Sequence, residues 1–383
     1  MEYNNGGLGS DTMGKDNLIF IHKLLKAIAD AIIIVFIPLY ILKTTNDITL
    51  SIDYLILFSI FVIAFMFILK KVIQKFGVIA ILLHFIPIII TEGILSFFEI
   101  NFYTVLLAAM MMGLAQALYS IPLNLIFTFS DKKTNVGKFM IASNIGKLVF
   151  MLASGLILAN VDNSFMFLSI ASTIFYISCV FPIIFAYKDL KNRYNNIDKN
   201  VARPQIDLLF VLFHITFGLF QPIMDNVVPL YLYVNDLSFQ SVTIIIVLIE
   251  FFKIIVNYIS QLLVKKNRSI ICVTLSFILF MSSIITIIFS KDPVVLYIFS
   301  TLCAVSFPLT FVPMFGLYCN YLKKKNDVFN GMTDRDFEIF SFRSPMYALA
   351  YGGLGLLPCL VLGVAVIPVM FISEIMLIKS NKE

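Results

Sequence analysis

Long apolar stretches alternate with short polar ones along almost the whole chain. A helix that crosses a bilayer takes about 20 apolar residues. Stretches of that kind are predicted as helices at about 18–42, 52–69, 76–98, 102–129, 136–160 and 164–187, and again at about 207–233, 238–264, 269–289, 293–321, 338–357 and 358–378. The last two meet with no polar loop between them; Gly352, Gly353, Gly355 and Pro358 suggest a tight turn there. Residues 1–17 are rich in Asn, Gly and Asp, lack apolar periodicity and read as a flexible tail. The first apolar stretch carries His22, Lys23, Lys26 and Asp30 and has no small-residue cleavage site, unlike a signal peptide. A polar stretch at 188–206, from Lys188 through Asn195 and Asn196 to Pro204, reads as a linker on the membrane surface. The expected architecture is therefore all-α. It is a polytopic membrane protein of twelve transmembrane helices in two six-helix bundles, 18–187 and 207–379.

Basic residues orient this arrangement, because Lys and Arg are retained on the cytoplasmic side. With both termini inside, 21 of the 28 basic residues fall on cytoplasmic segments and only Lys43 and Lys291 on outside loops. Arg335 is counted here among the inside loops, and Lys23 and Lys26 sit at the inner end of the first helix. The formal charge of +5 thus reports orientation, not an acidic partner.

The two halves echo each other. Pro38-Leu39-Tyr40 matches Pro229-Leu230-Tyr231 at an interval of 191 residues, as do Pro122 with Pro313 and Lys132-Lys133 with Lys323-Lys324. Beyond them Phe139 with Phe337, Ser143 with Ser341 and Gly155 with Gly353 stand 198 apart, which predicts a longer loop after the tenth helix. Such parallel repeats are related by an axis along the membrane normal. In topology, central linker and repeat, residues 18–379 resemble the major facilitator superfamily. That family's pattern between helices 2 and 3, Gly-x-x-x-Asp-Arg-x-Gly-Arg, is met here by Lys75 and Gly77. Lys70, Gln74 and Val78 replace its first Gly, its Asp and its last Arg. Ala109 stands at the place of the helix-4 Arg, and the helix-5 Gly-x-x-x-Gly-Pro motif is absent. The resemblance implies a central cavity lined by helices 1, 2, 4, 5, 7, 8, 10 and 11.

Composition narrows the function classes. Of 383 residues, 60% are hydrophobic and 13% charged, and the mean hydropathy is +0.96; a soluble domain has roughly 25% charged residues. A soluble enzyme and a nucleic-acid binder are excluded on that ground. The five cysteines all fall in apolar stretches, without metal-ligand spacing, so neither a disulfide framework nor a metal site is expected. No Gly-x-Ser-x-Gly, His-Glu-x-x-His or Gly-x-x-x-x-Gly-Lys motif occurs, so no enzyme activity, cofactor or ATP hydrolysis is expected. Twenty-three lysines against five arginines, with abundant Ile, Asn and Phe, point to an AT-rich, bacterial genome. There is no Trp.

Ionisable groups inside a bilayer are costly and normally face a partner or a watery path. Asp30, Asp225 and Glu250 are the candidates for coupling to H+ or Na+. Lys147, Lys253 and Arg343 are candidates for a substrate's charge, and Gln116, Asn124 and Asn144 for its polar groups. Each has a plainer reading. Lys26 can pair with Asp30 one turn away, Glu250 with Lys253 on one helix face, and Arg343 with Glu338. Lys147 can snorkel, or pair with Asp30 or Asp225. Pro222 and Pro229 bracket Asp225 and are expected to bend its helix. His22 and His214 read as ordinary interfacial residues, and Met110-Met111-Met112 as adaptable packing. The function expected is secondary active transport of a small solute across the plasma membrane by alternating access, by a monomer whose other partners are the bilayer and a coupling ion. The alternatives are an exporter or flippase of amphipathic compounds on the same fold, and a non-transporting sensor or assembly partner.

Overall fold

The computed structural model describes residues 9–128, 135–195, 207–325, 328–351 and 355–380, with the side chains of 9–16, 126–146 and 193 outside that description. Among the described residues every regular element is helical. The first half contains α1 (Gly9–Ile32), α2 (Ile37–Thr45), α3 (Ile48–Leu83), α4 (Phe85–Phe97), α5 (Phe102–Thr128), α6 (Asn135–Asn160) and α7 (Ser164–Asn195). The second contains α8 (Leu208–Pro222), α9 (Val228–Val234), α10 (Phe239–Lys265), α11 (Ser269–Phe289), α12 (Pro293–Lys325), α13 (Val328–Ser341), α14 (Arg343–Ala348) and α15 (Leu357–Ser380). Nine helical runs of the described residues are long and apolar enough to cross a bilayer, with α1–α2 and α8–α9 each counted as one. The third, fifth and eleventh crossings of the expected twelve correspond to α4 with the end of α3, to α6, and to α13 with α14.

The helix breaks have local causes. Pro38 lacks an N–H and crowds the carbonyl of Ile34, and α1 gives way there to a 3₁₀ turn, Ile34–Phe36, before α2 begins. Between α8 and α9 the chain widens into a π turn, Ile223–Val227, where the Val228 N–H reaches back to the Ile223 carbonyl. Pro229 has no N–H to offer the carbonyl of Asp225 in that turn.

Several boundaries differ from the sequence expectation. The basic stretch Lys70–Lys75 is helical, because it holds no Gly or Pro; only Phe76 (φ −125°, ψ 28°) interrupts α3. The sixth helix runs to Asn195, into the expected linker. The largest difference is α13, which begins at Val328, ten residues before the predicted eleventh helix. Its Arg335 and Asp336 are 8% and 4% exposed, so Arg335 does not belong to a loop. The longer loop after the tenth helix is not a loop either: α12 continues to Lys325, past Cys319, the position matching the end of α5. The helix starts keep the interval of 191, Ile48 with Phe239 and Phe102 with Pro293.

Within the first half α1 packs on α6 and α7, and α3 on α5; within the second, α8 packs on α13 and α15, and α12 on α10 and α11. The halves meet where α6 packs on α10, α3 on α13 and α14, and α5 on α13. At the end that carries the α2–α3, α6–α7 and α9–α10 connections, here the far end, they close tightly. Phe36 packs on Phe239 at 6.2 Å, Gln240 donates to Asn160 at 2.6 Å, and Tyr351 donates to Asp53.

One close approach inside the second half depends on a glycine. A Cβ on Gly218 of α8 would lie 2.3 Å from the carbonyl oxygen of Ile339 in α13. Backbone cannot yield as a side-chain tip does, so Gly218→Ala should destabilise the protein by about 1–3 kcal/mol, as overpacking does. A thermal melt in detergent measures this, and an unshifted melt would show that the two helices separate freely.

Candidate functional site

Between the halves lies a cavity in two lobes that share part of their lining, with charged and aromatic side chains on its wall. The lobe nearer the chain termini has a volume of about 570 Å³, the deeper one about 420 Å³. Lys23, Ile34, Phe58, Lys147, Gln221, Asp225 and Phe307 line both.

A line of charged and amide groups crosses the cavity from one half to the other. Lys147 of α6 stands 4.0 Å from Glu250 Oε2 of α10. Lys253, one turn on, donates to Glu250 Oε1 at 3.0 Å and lies 3.6 Å from Asp225 Oδ1. Gln221 donates its amide to Asp225 Oδ2 at 3.1 Å, and its Oε1 accepts from Arg343 Nη2 at 2.6 Å. Only this amide orientation satisfies both neighbours, since a carboxylate accepts and a guanidinium donates. Arg343 also lies over the Phe340 ring at 4.1 Å. Glu250 is buried and Lys253 mostly covered, with side chains 9% and 12% exposed, whereas Asp225 is 37% exposed at the cavity wall. The π turn turns that carboxylate toward the cavity; such turns recur at functional sites.

A second group narrows the terminal lobe. Arg335 donates to Asp336 at 2.7 Å, and Asn124 of the other half donates to Asp336 Oδ2 at 3.2 Å. The Arg335 guanidinium sits 5.0 Å from the centre of the Phe315 ring. Three phenylalanines one helical turn apart, Phe307, Phe311 and Phe315, stack on α12 with centroids 5.3 and 5.1 Å apart and planes within 13°.

The structure brings together Lys147, Asp225, Glu250, Lys253, Arg343, Gln116 and Asn124 on the cavity wall. Asp30 is placed elsewhere. Its carboxylate is held by Lys26 at 2.7 Å and by the Tyr176 hydroxyl at 2.5 Å, so it reaches the cavity only through Lys26. The side chain of Asn144 lies outside the described residues. Arg343 is not paired with Glu338; that carboxylate takes His214 Nδ1 at 2.7 Å. His214 and His22 are buried rather than interfacial, and His22 Nδ1 bonds the Cys179 carbonyl at 2.7 Å. No cluster of metal-ligating residues occurs among the described residues.

Sequence reading missed Gln221, Arg335 and Asp336. Gln221 was legible as a polar residue one turn before Asp225 in an apolar helix. Arg335 and Asp336 lie in a run whose Val328, Phe329, Met332 and Ile339 recur at helical spacing, a pattern masked by the polar residues between them.

The family model described as Major Facilitator Superfamily matches residues 19–333. No curated protein matches the chain in sequence. The fold is similar to the crystal structure of a bacterial homologue of iron transporter ferroportin in an outward-facing state, with a TM-score of 0.68, 13% identity and coverage of 96% of this chain and 100% of that one. It is also similar to the human organic anion transporter MFSD10 (TETRAN), with a TM-score of 0.66, 10% identity and coverage of 94% and 98%. At these identities the likeness is one of fold.

Proposed function

The chain belongs to the major facilitator superfamily, a fold that supports membrane transport of a solute, and from that premise we propose that it is a secondary transporter working by alternating access. The observation that carries this reading is the line Lys147–Glu250–Lys253–Asp225–Gln221–Arg343, which spans both halves inside one cavity. A solute entering the cavity competes for these groups. When it binds Lys147, the contact with Glu250 that joins the halves is exchanged for a contact with the solute; when it binds Arg343, the bond to Gln221 within the second half is exchanged.

Coupling to H+ or another cation follows from the same groups. Neutralising Asp225 or Glu250 loosens Lys253 and Lys147, which are then free to engage the solute. Asp30 joins through Lys26. Lys253, Gln116 and Asn124 supply further polar contacts. The aromatic wall favours the second reading, export of amphipathic compounds by the same rocking motion. The lysine distribution supports cytoplasmic termini in a plasma membrane.

Distance measurements test alternating access without knowledge of the solute. With native cysteines replaced, spin labels at Val161 and Val234 report the far end, and labels at Lys71 and Lys265 the terminal end. Two distance populations are expected at each end, shifting in opposite directions as pH changes. One fixed distance at both ends under all conditions would rule the mechanism out.

A further inference from the structure

The chemistry of the cavity wall narrows the solute, on the reading of the protein as a transporter. The terminal lobe is lined by five basic side chains, Lys23, Lys26, Lys147, Arg335 and Arg343, and by two acidic ones, Asp225 and Asp336. The excess is therefore cationic. Asp336 is taken up by Arg335, and Lys26 is neutralised by Asp30 behind the wall.

Arg343 is different. Its one hydrogen-bonding partner among the described residues is the neutral amide oxygen of Gln221, and its Nε is buried with no hydrogen-bond partner. Lys147, on the opposite half, stands 4.0 Å from Glu250, beyond a hydrogen bond. A buried guanidinium N–H without an acceptor is costly unless an opposite charge completes it, and Lys147, 25% exposed at the cavity wall, stands open to the same charge. A guanidinium with a free N–H matches a planar carboxylate better than an ammonium does.

The apolar part of the same wall is mostly aromatic. Phe58, Phe217, Phe307, Phe311, Phe315 and Phe340 outnumber the aliphatic residues Ile34, Leu123 and Ile339. Phe217 faces the stacked trio from α8, 5.5 Å from Phe307 and 5.9 Å from Phe311. Aromatic rings attract one another in offset or edge-on geometry beyond the effect of area alone. An aliphatic body gains area but not this geometry.

We propose that the solute is an aromatic carboxylate, whose charge docks on Arg343 and Lys147 and whose ring packs against Phe307, Phe311 and Phe315. Binding is then selective twice over, for negative charge and for a flat ring.

Calorimetric titration of the purified full chain tests both selections with four probes of similar size: 2-naphthoate, its saturated counterpart decahydro-2-naphthoate, 2-naphthalenemethanol and 2-naphthylmethylammonium. The expected order puts 2-naphthoate first, with decahydro-2-naphthoate weaker by about tenfold. Arg343→Gln should weaken 2-naphthoate by about 30-fold or more, and Arg343→Lys by less. Phe311→Leu should remove most of the preference for the ring and leave decahydro-2-naphthoate unchanged. Melts of all three variants, run alongside, exclude a folding loss as the cause.

Equal or tighter binding of the alcohol or the ammonium probe would overturn the charge assignment. A Phe311→Leu loss shared equally by both acids would overturn the ring assignment, and no binding of 2-naphthoate would overturn the whole. Two-state distances at Val161 and Val234 without 2-naphthoate binding reject the solute class and keep the transporter. A single fixed distance with intact 2-naphthoate binding does the reverse.

Discussion

Glu250→Ala should cost the folded protein about 3–5 kcal/mol and stop transport, the largest effect expected of any single cavity residue. Glu250 is the carboxylate between two lysines, Lys253 on its own helix at 3.0 Å and Lys147 on the other half at 4.0 Å. Removing it leaves Lys147 with no ion-pair partner among the described residues and Lys253 with Asp225 alone, at 3.6 Å. The cost comes from this uncompensated charge more than from the lost attraction. Removing the charges together should undo it, because apolar replacement of a buried ion pair is often neutral or stabilising. Glu250→Leu combined with Lys147→Met, which leaves Lys253 paired with Asp225, is therefore expected to melt near the parent protein and still fail to move between its two arrangements. Thermal melting in detergent gives the first half of this result, and the spin-label distances give the second. If the Ala variant melts with the parent, Glu250 is solvated and the bridge between the halves carries no energy.

Gly155→Leu should drive the protein toward the arrangement open at the far end. A Cβ at Gly155 would lie 2.3 Å from Thr243 Cγ2 and 2.9 Å from the Phe36 ring, and Thr243 belongs to the other half. The clash with Thr243, the closer of the two, exists only while the far end is closed, whereas Phe36 lies in the same half as Gly155. Overpacking of about 1–3 kcal/mol applied to one of two arrangements shifts their ratio by about 5- to 150-fold. A cysteine at Tyr54, buried in the deep lobe, reads the change through its reaction rate with a membrane-impermeant maleimide. Faster labelling in the Gly155→Leu background is the expected result. An unchanged rate would show that α6 and α10 do not form the gate.

The nine long crossings among the described residues were legible because lipid forces a long apolar run on each, and Pro222 and Pro229 announced the break beside Asp225; the break at Pro38 was not read in advance. The eleventh crossing was obscured for the opposite reason. Its first turns, Val328 to Asp336, bury Arg335 and Asp336, which satisfy each other and Asn124 of the other half, so hydropathy marks them as loop. The charged candidates on α6, α8–α9, α10 and α14 stood out because each is an ionisable group within an apolar helix, and those groups do line one cavity. Asp30 met the same criterion, yet Tyr176 of α7, far away in sequence, holds it behind the wall. No local pattern shows which face of a helix a neighbour covers. The histidines escaped likewise: the partners of His22 and His214 are more than a hundred residues away, at Cys179 and Glu338.

Gln221 keeps Asp225 and Arg343 one side chain apart, with its amide nitrogen toward the acid and its oxygen toward the base. Glutamine and glutamate codons differ in a single base. One point mutation would therefore set a carboxylate beside Arg343, satisfy that guanidinium internally and lower the charge of the cavity by one. For the proposed anionic solute, the charge preference thus sits one nucleotide from change, which makes this position a natural place for related chains to diverge.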